Sequence, residues 1–286
     1  MKNAYKSIFV LLIMGSLMAC KDEVKTENSE NEDVSGVVKE DEERRLLVAN
    51  ELDYSSPTTD MKGYIVHSKL TEGRRPGIIV IHEWWGHNDY VRKRADMLAD
   101  LGYTALAIDM YGNGKQAKHS LDAGSFSSEV MSNMPVAKAR FEAALEALKK
   151  DPTVDTNNIA VIGYCFGGSV ALTMADAGYN LKGAAAFHSG VKLPIMPNDQ
   201  LKARILVCNG ADDPFIKNED VVTYKSALDS LDVDYKYIEY PGATHGFTSK
   251  ASDSLGKKFD LPLAYNLDAD EQSWEELKSM LKLSFQ

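Results

Sequence analysis

Three residue types that together make a nucleophile occur in one order along the chain. They are a cysteine in "GYCFGG" (163–168), two aspartates in "NGADDPF" (209–215) and a histidine in "YPGATHGF" (240–247). Gly163-Tyr-Cys165-Phe-Gly167 has the G-x-S-x-G shape of a nucleophile elbow, with cysteine in place of serine. A thiol on such a corner attacks a carbonyl carbon when a base takes its proton and a third group orients the base. Glycine two residues to either side relieves the crowding where a strand turns sharply into a helix. The helix N-terminus that follows favours a nearby anion, a thiolate included. His245 is the expected base, and Asp212 or Asp213 the expected acid. Adjacent residues on a turn point apart, so only one of the two aspartates is expected to reach the histidine. The plainer readings are a tight turn around a buried cysteine, a turn before Pro214 and a loop histidine with its own partners.

These residues must be held by a frame, and the hydrophobic pattern supplies one. Short β-rich runs occur at 63–68, 77–82, 103–109, 159–163, 182–188, 204–210 and 234–240. Several are continuously apolar, as expected of strands covered on both faces. Helical periodicity appears at 89–102, 135–150, 219–231 and 270–283, with a further helix expected directly after the elbow. Pro135 suits a first helical position. The alternation predicts an α/β fold with a mostly parallel sheet and helices on both faces. The candidate residues then fall at the carboxyl edge of that sheet. Segment 111–134 is rich in Gly, Ser, Asn and Lys without clear periodicity and reads as a long loop over the site.

Taken together, "IVIHEWWG" (79–86), "AIDMYG" (107–112), "GYCFGGS" (163–169), "NGADDPF" (209–215) and "YPGATHGF" (240–247) give the chain a family likeness. Over most of residues 60–286 it resembles dienelactone hydrolase, a cysteine-dependent member of the α/β-hydrolase fold. The resemblance implies Cys165 as nucleophile, His245 as base and Asp213, three residues after Gly210, as orienting acid. It implies that Glu83 accepts a hydrogen bond from the resting thiol. It places the oxyanion hole at the backbone N–H groups of Trp84 and Phe166. The implied reaction is hydrolysis of a small ester or lactone through an acyl-enzyme, with no metal or organic cofactor. The family's carboxylate-holding arginines are missing, for Asn113 and Ser249 stand near those positions. Trp84, Trp85, Tyr111, Phe166, His188 and Phe247 are candidates for an aromatic pocket. Lys115 and His119 are candidates to meet an anionic group.

The ends and the charge place this domain. "MKNAYKSIFVLLIMGSLMAC" carries two lysines, an apolar run and small residues before Cys20. That is the pattern of a secretory signal, residues 1–19. "LMAC" resembles a bacterial lipobox, which implies lipidation of Cys20 and a lipid-anchored protein of the cell envelope, in the outer membrane. Residues 20–45 are acidic and poor in apolar side chains, the composition of a flexible tether. Residues 46–286 then form the catalytic domain. The net charge of −10 in 286 residues argues against a nucleic-acid partner. Cys165 and Cys208 are not expected to form a disulfide framework. The rival readings are a surface lipoprotein that keeps the fold only for binding, and a thiol redox protein with Cys208 as resolving cysteine.

Overall fold

A computed structural model describes residues 46–286. The expected signal peptide, the lipidated Cys20 and the acidic tether lie outside the described residues. In chain order the strands are β1 (Leu47–Ser56), β2 (Thr59–Ser68), β3 (Arg75–Ile81), β4 (Thr104–Ile108), β5 (Val154–Tyr164), β6 (Gly183–Phe187), β7 (Arg204–Gly210) and β8 (Tyr235–Tyr240). The helices are α1 (Asp89–Asp100), α2 (Ser120–Met131), α3 (Met134–Lys150), α4 (Phe166–Asp176), α5 (Asn218–Ser230), α6 (Ser252–Phe259) and α7 (Leu267–Ser284). The strands form one sheet in the order β1-β2-β4-β3-β5-β6-β7-β8. Pairing is parallel from β4 across to β8, and antiparallel for β1 with β2 and β2 with β4.

The apolar runs are continuous because both sheet faces are covered. On β3, Ile79 and Ile81 join one core with Phe141 and Leu148 of α3, Val170 of α4 and Tyr224 of α5. Their neighbours Ile78 and Val80 join a second core with Val91 and Leu98 of α1 and Leu277 of α7. Successive side chains of one strand thus feed opposite cores. Helix ends follow local chemistry. Asn133 caps α3 through a hydrogen bond from the Val136 N–H (3.3 Å), and Asn266 caps α7 through the Ala269 N–H (3.0 Å).

The structure departs from the sequence reading in three elements. β1 was not expected. It is an edge strand with half of its length facing solvent, joined to β2 by the two-residue turn Pro57–Thr58. Segment 111–134 is not a continuous loop, because it contains α2, capped by His119 Nδ1 accepting from the Leu121 N–H (3.2 Å). Helix α6 was also not expected.

Candidate active site

The corner between β5 and α4 is built as its glycines require. Cys165 sits at φ 54°, ψ −120°, a conformation disfavoured for a residue with a side chain. Its N–H donates to the Phe187 carbonyl of β6 (2.9 Å), which ties the corner to the sheet. A Cβ on Gly163 would run into the Gly167 carbonyl oxygen. A Cβ on Gly167 would meet the Ile81 carbonyl and lie 2.5 Å from the His82 carbonyl oxygen. Only glycine lets strand, corner and helix approach this closely.

Cys165, His245 and Asp213 come together in one line. His245 Nε2 lies 3.0 Å from Cys165 Sγ, and His245 Nδ1 lies 2.7 Å from Asp213 Oδ2. The Asp213 carboxylate is sealed from solvent, and its other oxygen accepts from the Phe215 N–H (2.9 Å). Asp212 is exposed and contributes its backbone N–H to the Ala243 carbonyl. The turn therefore points the two aspartates apart, with Asp213 inward. Burial opposes a charge on His245, but the neighbouring Cys165 and Asp213 outweigh it and raise the imidazole to about 10. The geometry gives the Cys165 thiol a direct path for its proton to His245 Nε2.

Glu83 differs from the expectation. The thiol bonds to His245, while the Glu83 carboxyl lies 4.0 Å from His188 Nε2, too far for a hydrogen bond. The physical reason is that an imidazole already oriented by Asp213 is the stronger partner for the sulfur. Burial pushes Glu83 up to about 7, opposed by His245 and Arg94. Arg94 is itself held by Asp270 (2.5 Å) and the Thr248 carbonyl (2.6 Å).

The loop after β3 presents the second half of the site. His82 Nδ1 donates to the Glu83 carbonyl (2.6 Å), and its Nε2 accepts from the Met110 N–H (3.2 Å). Burial keeps His82 below its ordinary pKa, so it stays neutral and serves both bonds. The Tyr111 hydroxyl donates to the Trp84 carbonyl (3.0 Å). Tyr111 is in turn set by the buried Asp109 carboxylate, which accepts from the N–H groups of Tyr111 (2.8 Å), Gly112 (2.8 Å) and Gly114 (2.7 Å). Among the described residues, the Trp84 and Phe166 N–H groups donate to no protein acceptor, and both residues line the cavity that holds Cys165. Unpaired donors beside a nucleophile can hold an oxyanion.

That cavity has a volume of about 280 Å³. Its apolar wall is Trp84, Phe166, Met131 of α2, Phe215 and Ile216. Four residues expected in the pocket are not in its lining. Trp85, Tyr111, His188 and Phe247 are each at most 7% exposed and stand behind the wall. Tyr111 packs on Phe166, and His188 stacks edge-on to His245 and Phe247. They are buried because they position the loops that carry the site. Asn113 is exposed and Ser249 buried, and neither reaches the cavity. Lys115 rests over the Phe126 ring (4.5 Å), and His119 caps α2 against Phe259. The sequence does not single out the apolar lining residues Met131, Phe215 and Ile216, nor Ser127, Ser128, Ser169 and Gly190. Cys208 is a free thiol, fully buried in the core on the other sheet face. Among the described residues, no group of three or more His, Cys, Asp or Glu side chains is arranged to hold a metal ion.

A parallel sheet flanked by helices, with a cysteine elbow, an acid and a histidine on the loops at its carboxyl edge, defines an α/β hydrolase. The model of the dienelactone hydrolase family matches residues 61–285. The chain belongs to that family and is a carboxylic-ester hydrolase. It is similar to a solved dienelactone hydrolase-like promiscuous phosphotriesterase from metagenomic libraries, with 31% identity and a TM-score of 0.78. That match covers 84% of this chain and 100% of the other. A second solved structure, m3DLH, is 32% identical with a TM-score of 0.80 over the same shares. Protein usf of Aquifex pyrophilus is 28% identical over 72% of this chain and 90% of its own.

Proposed function

We propose that this hydrolase cleaves small carboxylic esters or lactones through an acyl-thioester on Cys165, and that it is exported and held at the bacterial cell envelope by a lipid on Cys20. The observation that carries the chemistry is the continuous line Asp213–His245–Cys165, with hydrogen bonds of 2.7 and 3.0 Å. Cys165 Sγ attacks the carbonyl carbon as thiolate, its proton on His245 Nε2. The carbonyl oxygen gains the negative charge and lies against the Trp84 and Phe166 N–H groups. Each such donor is worth roughly 10²–10³ in rate. The C–O bond to the leaving group breaks, and His245 gives that oxygen its proton. Water then passes a proton to His245 and attacks the thioester, releasing the acid and returning the thiol. Asp213 keeps Nδ1 protonated, so that Nε2 always faces the reacting sulfur or water.

The rival readings have less support. A thiol redox cycle would use Cys208, yet that sulfur is buried in the opposite core. A binding-only protein would have no use for a strained corner with unpaired N–H donors beside it. The envelope assignment rests on the sequence around Cys20.

The test is steady-state hydrolysis of short aryl esters by wild type, Cys165→Ala, Asp213→Asn and Asp212→Asn. Cys165→Ala is expected at background. Asp213→Asn should lose roughly 10²–10⁴ in kcat, and Asp212→Asn about twofold at most. Unchanged turnover in Cys165→Ala would overturn the mechanism, and equal losses at the two aspartates would overturn the choice of acid.

A further inference from the structure

The cavity carries information about its substrate that the catalytic line does not. Its wall is apolar, and no lysine or arginine lines it. Of its three serines, Ser127, Ser128 and Ser169, the first and last are committed to the protein. Ser127 Oγ donates to the Ala123 carbonyl (2.8 Å), and Ser169 Oγ to the Gly190 carbonyl (2.8 Å). Lys217, next to Ile216, faces Glu219 (3.9 Å), and two further cations are engaged elsewhere. Arg94 is bound by Asp270 behind the site, and the Lys115 ammonium sits over Phe126. The triad has one net negative charge in either proton arrangement. Thiol, imidazole and carboxylate sum to the same value as thiolate, imidazolium and carboxylate. Glu83, buried beside it, adds a second negative charge whenever it ionises.

Building on the hydrolase reading above, we propose that the site selects neutral esters with an apolar acyl chain and rejects esters whose acid portion carries a carboxylate. A carboxylate entering this cavity loses its water, finds no counter-charge, and faces a site of its own sign. An alkyl or aryl chain instead buries apolar surface against Met131, Phe215 and Ile216. The cavity is at the small end for ligand sites, which suits a short chain.

The experiment compares p-nitrophenyl hexanoate with mono-p-nitrophenyl adipate, which has the same chain length and a terminal carboxylate. The expected ratio of kcat/KM is at least about 30-fold in favour of the hexanoate, as for an ionised group placed without a partner. A ratio near one, or a preference for the adipate, would overturn the proposal while leaving the thiol mechanism standing. Phe215→Arg, which puts a cation at the half-exposed mouth of the cavity, should narrow the ratio about tenfold. A readout independent of turnover is alkylation of Cys165 by iodoacetamide and by iodoacetate, each rate divided by that of 2-mercaptoethanol. The neutral reagent should be favoured at least about tenfold. Equal normalised rates would overturn the proposal even if neither ester were hydrolysed.

Discussion

Two carboxyl groups show how strongly burial sets charge at single residues. Glu83 is pushed up by desolvation to about 7, partly offset by His245 and Arg94. Asp176, at the end of α4, has no hydrogen-bond partner on either oxygen among the described residues, and desolvation raises it to about 8. The sign for stability follows from linkage. An acid whose folded pKa is raised contributes stability that is full below its unfolded value and is lost as pH rises through the folded one. For Asp176 the window runs from about 4 to about 8. A tenfold change in proton affinity is worth about 1.4 kcal/mol, so half of that displacement is about 3 kcal/mol. Asp176→Asn removes the titration and leaves the shape. The Tm of the variant minus that of wild type should therefore rise between pH 5 and pH 9, read by thermal unfolding at each pH. A difference flat across that range would contradict the buried, neutral carboxyl. The sequence did not mark Asp176, because a lone Asp in "ALTMADAG" looks like an exposed helix end.

Among the elements, those whose side chains face two cores were the most legible. β7 was read with its observed ends, because "RILVCNG" is apolar throughout and closes on a glycine. The elbow was legible for a related reason, since its glycines answer to backbone approach and leave a spacing that survives in sequence. β1 is not legible because polar residues dominate its second half, leaving only Leu52 and Tyr54 as an inward apolar pair. α2 was missed because four serines and a glycine dilute its pattern, although Ala123 and Val130 do lie a helical repeat apart on the buried side. That omission affected the site, since α2 supplies Met131, Ser127 and Ser128 to the cavity. Trp84 and Phe166 line the cavity as the sequence suggests, but Trp85, Tyr111, His188 and Phe247 stand one layer behind it. Residue type reports that Tyr111 or His188 is near a site, whereas only packing decides whether it forms the wall or stands behind it. Asp213 could be separated from Asp212 only by resemblance. The structure supplies the reason in the turn after β7, where Asp212 gives its N–H to Ala243 and Asp213 turns inward.

For the whole molecule, chemistry and location are separate claims with separate tests. The fold, the corner and the triad geometry lie within residues 46–286, and the envelope proposal rests on Cys20. In the native host, Cys20→Ala should move the full-length protein out of the membrane fraction and abolish labelling by a radiolabelled fatty acid. Unchanged fractionation and labelling would contradict the anchor and leave the hydrolase reading intact. The central claim is the covalent intermediate on Cys165. The most direct measurement is a single turnover of p-nitrophenyl hexanoate with enzyme in excess, quenched in acid on the millisecond scale and analysed by intact mass and peptide mapping. The account predicts a transient hexanoyl adduct on Cys165 that forms as p-nitrophenol is released and decays as hexanoate appears. Release of p-nitrophenol with the acyl group on another residue, or with no adduct at any quench time, would contradict it.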